Sequence, residues 1–309
     1  MKRCQQRFLI RFLGSLCLGS IIGGQALAGS VATSPPLQIA QSYTDLVANA
    51  LFQHYALGQP APLMTGGVSS QQAGQLQVSF VRRLREGAGP VVGFKAALTN
   101  PTAQQQFGVN HPLYGFLLEE MLLESGDSLP VQFGARPVAE GDLMVRVGDE
   151  SINTADTDEE LLASLDAVLP FMELPDLFYQ ENAAVDATAL VAINAGTRYG
   201  VVGDPIELEP TEAWMTRLGQ IQVRLINDAG QTVETGDSAA LLGHPINSVR
   251  WLRDTLIAQG VTLQPGDLLS LGSMTPPIPV EAGRLSARYS GLDPEEPEDT
   301  VDISIKLKD

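Results

Sequence analysis

The sequence predicts an α+β fold, a strand-rich core with its helices gathered at one end. Three observations carry this. The first two periodic segments after residue 42 repeat at helical spacing. From residue 91 onward short apolar or alternating runs dominate, separated by Gly, Pro, Asn and Asp. No regular β–α–β alternation links those runs, which argues against a doubly wound parallel sheet.

The chain has 309 residues, 44% of them apolar, enough for a substantial core. Residues 1–28 stand apart from it. Lys2, Arg3, Arg7 and Arg11 make a basic start, Phe12 to Ile22 is an apolar run of signal length, and Ala26-Leu-Ala28 is a small-x-small cleavage site. A secretory signal over 1–28 is expected, hence an exported, periplasmic or extracellular, protein. Residues 29–42, rich in Ser, Pro, Gln and Ala, read as a flexible leader, and 43–309 as a single catalytic domain. Within it, 43–90 is the helical N-terminal part and 91–309 the β-rich core.

Cys4 and Cys17 both fall in the expected signal, so the remainder has neither disulfide nor thiol chemistry. The net charge is −17, and losing the signal's four cations takes it to −21. Such a surface excludes nucleic acid, whose binding needs clustered Lys and Arg, and is unsuited to an anionic membrane once the signal is gone.

Taken in order, Tyr43 to Leu57 places Leu46, Val47, Ala50, Leu51 and His54 on one helix face. Ser69-Ser-Gln-Gln72 opens a second helix carrying Leu76, Phe80 and Leu84, stopped by Gly87 and Gly89-Pro90. Val91 to Leu98 reads as a strand with Lys95 at its centre. Such a lysine either snorkels from an edge or is functional. A short helix follows Thr99-Asn-Pro-Thr102, then a turn-rich loop containing His111.

Arg136 to Val147 is a strand in which Glu140 and Asp142 share a face, about 6.5–7 Å apart along an ideal strand. Two like charges so placed repel and are costly to bury unless a cation joins them. Thr157-Asp-Glu-Glu160 begins a helix expected to run through Leu161, Leu162, Leu165 and Val168 to Pro170. Beyond it Glu173 lies in another apolar run between Pro170 and Pro175. Ile221 to Ile226 alternates and meets the turn Asn227-Asp-Ala-Gly230. His244 precedes a helix over Val249 to Gln259, and Val301 to Leu307 is a last strand.

Common nucleophile, zinc-protease, phosphate-loop and dinucleotide motifs are missing. What remains is oxygen-rich: Glu140, Asp142 and Glu173, with Lys95 in an apolar strand. These suit a hard divalent cation better than zinc.

Five blocks, in order, resemble one known family. They are Gly93-Phe-Lys-Ala-Ala-Leu-Thr99 with Gln104-Gln-Gln-Phe-Gly108; Pro137-Val-Ala-Glu-Gly-Asp142; Phe171-Met-Glu-Leu-Pro-Asp176; Leu242-Gly-His-Pro-Ile-Asn247; and Gln264 to Ser273. The family is the 2-keto-4-pentenoate hydratase / 4-oxalocrotonate decarboxylase group of the fumarylacetoacetate hydrolase superfamily. The resemblance implies a β-rich mixed-sheet roll with flanking helices and a homo-oligomer. It also implies Mg²⁺ or Mn²⁺ held by Glu140, Asp142 and Glu173, with Lys95 as catalytic lysine. The implied substrate is a small anionic 2-oxo or 2-hydroxy-dienoic acid, and the implied reaction is hydration of a 2-hydroxypenta-2,4-dienoate-like compound. Alternatives are decarboxylation, acylpyruvate-type C–C hydrolysis, and oxo-acid binding without turnover.

One departure is Asp142, where glutamate is frequent in the hydratases. His244 is the better histidine candidate for a catalytic role. Asn194 either bridges within the core or lines the substrate pocket, and Ser273 and Thr275 are candidates for holding the substrate carboxylate.

Overall fold

The computed structural model describes residues 35–63, 67–292 and 299–309, with side chains from residue 43. The expected signal, both cysteines and most of the acidic 292–299 segment lie outside the described residues.

Helix α1 (Pro35–Leu57) begins inside the segment expected to be a flexible leader. Helix α2 (Ser70–Ala88) starts at a capping box: the Ser69 hydroxyl accepts from the Gln72 amide, and the Gln72 side chain accepts from the Ser69 amide. The chain then enters β1 (Val91–Ala97) and the single turn α3 (Pro101–Gln106), followed by β2 (Leu113–Leu118), β3 (Leu122–Glu124) and β4 (Ser128–Pro130). Two ten-residue strands follow, β5 (Val138–Val147) and β6 (Leu165–Leu174), separated by α4 (Asp158–Ala163). Helix α5 (Ala187–Ala192) leads to β7 (Tyr199–Val202) and β8 (Ile206–Glu207), and α6 (Glu212–Leu218) to the hairpin β9 (Gln222–Ile226) and β10 (Thr232–Asp237). After α7 (Pro245–Ala258) come β11 (Leu268–Ser273), β12 (Ile278–Pro279), β13 (Gly283–Ser290) and β14 (Thr300–Lys308).

The helix expected to run to Pro170 stops at Ala163. Leu161, Leu162, Leu165 and Val168 imitate helical spacing, but the capping Ser164 ends α4, and Leu165 onward is strand. Pro170 sits within β6, paired opposite Leu143; it has no N–H to contribute, and its carbonyl accepts from the Gly203 amide.

Nine strands form a mixed sheet with the path β2-β1-β11-β5-β6-β7-β3, onto which β8 and β12 add; five more form the sheet β10-β9-β13-β14-β4. The main core lies between the sheets and α7, through Leu143, Val145, Met172, Val223, Leu252, Leu269 and Ile305. A second core joins α1, α2 and α5 through Leu51, Phe80, Phe178 and Ala189. This is the α+β, curled-sheet architecture expected. No described helix is long and apolar enough to cross a membrane.

Candidate metal and proton-transfer site

Register puts the sequence-selected acids together. Glu140 on β5 stands directly opposite Glu173 on β6, and Asp142 lies opposite Phe171. Lys95 on β1 pairs with Ser270 on β11, which pairs with Met144 on β5. Paired residues point the same way and alternate residues share a face. Lys95, Ser270, Asp142, Glu140 and Glu173 therefore occupy one face. β1 and β6 are three strands apart, about 14 Å in a flat sheet. Lys95 Nζ nevertheless forms an ion pair with Glu173 Oε1, so this face is concave. Lys95, Glu173 and Asp142 are all at most 3% exposed.

Each acid has a different environment. Glu173 is held by Lys95. Asp142 is held by protein donors: Ser270 Oγ at 2.6 Å, the Gly272 amide at 3.1 Å and its neighbour Leu143's amide at 2.5 Å. The Gly272 donor exists because β11 is irregular between Ser270 and Ser273, with Gly272 at φ 109°. Burial, aided by the Glu173 charge, still holds the Asp142 carboxyl well above its usual range. Glu140 is pushed up to about 8, first by burial and then by Glu173, with Lys95 opposing the shift. Three carboxyl groups thus share one lysine amine.

Among the described residues, no three His, Cys, Asp or Glu side chains converge into a ready-made metal cage. Donor type and environment nevertheless fit a hard divalent cation: oxygen ligands only, with burial first and the Glu173 charge second raising the affinity of Glu140 and Asp142 for a positive partner. Glu140, Asp142 and Glu173 are the residues that would hold it. Lys95 and Ser270 now occupy oxygens such an ion would take.

The other selected residues play supporting parts. Ser273 pairs opposite Asp142 and its hydroxyl donates to the Thr275 carbonyl at 2.5 Å. Thr275 Oγ1 accepts from the Gly141 amide at 3.0 Å, pinning β5 between the two acids. Asn194 is fully buried and its amide is taken up by Phe116, so it bridges the core rather than facing a ligand. His244, the histidine candidate, has a capping part in this structure. It is the N-cap of α7, its Nδ1 accepting from the Ile246 amide at 3.2 Å and its Nε2 lying 3.0 Å from the Met215 carbonyl. Both ring nitrogens are committed to structure.

Sequence reasoning missed Ser270, although it is a polar residue in an apolar strand just as Lys95 is. It also missed Tyr289, whose buried hydroxyl lies 2.8 Å from the Asp142 carbonyl and 2.5 Å from that of Phe171, bracing β5 against β6 from the second sheet. Nothing in the alternating pattern of β13 marks that tyrosine as a contact of the site.

No profile of a known protein family matches the chain. The 4-oxalocrotonate decarboxylase of Pseudomonas putida is 31% identical over 219 residues, covering 70% of this chain and 80% of the relative. This chain belongs to that family. The family includes the 2-keto-4-pentenoate hydratase of Paraburkholderia xenovorans (strain LB400), 29% identical over 240 residues, 76% of this chain and 87% of the relative. The solved 4-oxalocrotonate decarboxylase of Pseudomonas putida G7, complexed with magnesium and adipate, superposes with a TM-score of 0.72 at 26% identity, covering 89% of this chain and 99% of that one. Decarboxylases and hydratases are both lyases, so this family's chemistry is lyase chemistry.

Proposed function

We propose that this protein is a divalent-metal-dependent lyase acting on 2-hydroxy-dienoic or 2-oxo-enoic acids, with hydration of a 2-hydroxypenta-2,4-dienoate-like substrate as the first reading. The observation that carries it is the pairing of Glu140 with Glu173 across two central strands, with Asp142 beside them and the Lys95 amine within the same buried group.

A bound Mg²⁺ or Mn²⁺ supplies a Lewis acid that stabilises negative charge on the substrate's 2-oxygen. The protein's own residues do the rest. Glu140, Asp142 and Glu173 supply oxygen donors, and Ser270 and Gly272 fix the rotamer of Asp142. Lys95 holds a proton at Nζ and is the group placed to pass it to substrate carbon or to anchor the substrate carboxylate. Near-complete burial keeps bulk water from competing for that proton. Hydration puts one proton on the terminal carbon of the diene and the hydroxyl of water on its neighbour, and as the enol becomes the ketone its hydroxyl proton is lost and C3 gains one. Water and the enol hydroxyl supply the two protons, and the Lys95 amine is the group placed to relay them.

Decarboxylation is the second reading, favoured by the 0.72 TM-score to a decarboxylase that binds adipate, a six-carbon dicarboxylate. It needs the same electron sink and one proton returned to carbon after CO₂ leaves. The two are separated by assay: loss of dienoate ultraviolet absorbance with Mg²⁺ marks the hydratase, and CO₂ release from 2-oxohex-3-enedioate marks the decarboxylase. Absence of both from processed protein would end the lyase reading.

Export through residues 1–28 and assembly into a homo-oligomer complete the proposal. The N-terminal pattern supports the first and the family resemblance the second. Intact mass of secreted protein, expected to begin at Gly29, and sedimentation of the purified chain test them.

A further inference from the structure

The Lys95 amine has a second acceptor, the Ala195 carbonyl at 3.3 Å. That carbonyl is delivered by an unusual piece of backbone. Asn194, Ala195 and Gly196 are consecutive left-handed residues, with φ of 59°, 53° and 74°. Glycine adopts this conformation freely and asparagine tolerates it, but alanine does not. Such backbone persists only where its surroundings over-determine it, and it clusters at functional sites.

Asn194 supplies the constraint. Its Oδ1 accepts from the Phe116 amide at 2.7 Å and its Nδ2 donates to the Phe116 carbonyl at 2.8 Å, closing a two-bond clamp onto β2. Gln77 Nε2 of α2 lies 3.5 Å from the same Oδ1 and 2.8 Å from the Tyr114 carbonyl. The Asn194 carbonyl in turn accepts from Thr197 Oγ1 at 2.7 Å. Gly115, opposite Lys95 on β2, completes the fit. A Cβ there would lie 2.8 Å from the Asn194 carbonyl oxygen, 2.9 Å from Thr197 Oγ1 and 3.1 Å from Lys95 Cγ. The turn and the lysine stem therefore share space that only glycine leaves open.

We propose that Asn194 is a positioning residue for Lys95. Its clamp on Phe116 locks the left-handed turn so that the Ala195 carbonyl fixes the direction of the amine. The amine's task in turnover rests on the lyase reading; its placement does not.

The experiment uses processed full-length protein carrying Asn194→Gly or Ala195→Gly. The first keeps a residue at ease in the left-handed region but removes the clamp; the second keeps the carbonyl and relieves the backbone. Lys95 is the only lysine between residues 3 and 305, so its acetylation by acetic anhydride is read cleanly from peptide masses, without any assay of activity. In Asn194→Gly we expect Lys95 to label at least about fivefold faster and kcat on the dienoate to fall at least about tenfold, KM moving less than about threefold, as for a misplaced catalytic group. Ala195→Gly should stay within about twofold of wild type on each measure. Unchanged labelling and kcat in folded Asn194→Gly would overturn the proposal, as would an equal loss in Ala195→Gly. If Asn194→Gly does not fold, Gly115→Ala displaces the same turn from the other side; faster labelling supports the proposal and unchanged labelling overturns it. A wild-type protein with no lyase turnover would remove the lyase reading, and labelling alone would then decide the role of Asn194.

Discussion

Among the described residues, carboxylates are buried in two places, and the two are built on opposite terms. Asp176, three residues beyond Glu173, accepts from the amides of Ala135 and Arg136 at 3.0 and 2.8 Å, with Arg198 Nη1 at 3.4 Å. Arg198 also donates to the Tyr55 carbonyl of α1 and stacks 4.0 Å over the Tyr55 ring. One acid meets one cation and two amides, and the cluster ties the helical part to the roll. At Glu140, Asp142 and Glu173, three acids meet one lysine. A buried charge matched by one of opposite sign is architecture; one that shares its partner with two other acids is capacity to bind. Burial alone does not separate the two.

Substitution should divide these regions sharply. Glu140→Ala is expected to abolish the Mg²⁺-induced rise in melting temperature and the activity with it, while leaving metal-free protein as stable as wild type or more so, because it removes a carboxyl that burial and Glu173 force to take up a proton on folding. Asp176→Ala should do the reverse, costing about 3–5 kcal/mol through the stranded Arg198, with the Mg²⁺ response retained in whatever folds. Denaturant melts with and without Mg²⁺ check both.

Lys95→Ala comes next. Turnover should fall by about 10²–10⁴-fold, the usual worth of a placed proton donor. Metal binding should remain and its thermal shift should grow, since the ammonium that shares Glu173 is gone. Wild-type turnover in this variant would refute the role given to the amine.

Protonation offers a smaller effect of defined sign. The folded metal-free protein holds a proton on Glu140 up to about pH 8, whereas the unfolded chain releases it near 4.5. Between those values the folded state binds more protons, so metal-free stability should fall as pH rises. Asp142, also shifted upward, contributes in the same direction. Mg²⁺ affinity should rise over the same window, because the ion must displace those protons. Melting temperatures from pH 5 to 8.5, with and without Mg²⁺, test it; a metal-free curve that climbs with pH contradicts it. The smallest expected effect is Tyr289→Phe, about 1–3 kcal/mol from two buried carbonyls losing their shared donor, accompanied by weaker Mg²⁺ binding as β5 loosens against β6.

Much of this was legible beforehand. Glu140, Asp142, Glu173 and Lys95 stand out because charge in an apolar strand is costly, and that cost is visible residue by residue. Their meeting is not visible: it depends on the strand order β1-β11-β5-β6 and on the curl that brings Lys95 across three strands. The capping part of His244 is not visible either, because a ring that caps a helix looks the same in sequence as one that moves protons. The segment around Leu165 misled because positions 161, 162, 165 and 168 satisfy a helical repeat, and only the cap at Ser164 and the pairing with β5 make it strand. The left-handed turn at Asn194 has no sequence mark beyond Asn-Ala-Gly itself.

The most direct test is a crystal of the processed protein soaked with Mn²⁺ and oxalate, read by anomalous scattering. The account predicts one Mn²⁺ peak bonded to oxygens of Glu140, Asp142 and Glu173, with oxalate beside it and the Lys95 amine turned toward the oxalate. A strong peak elsewhere, or none at full metal loading, would contradict it.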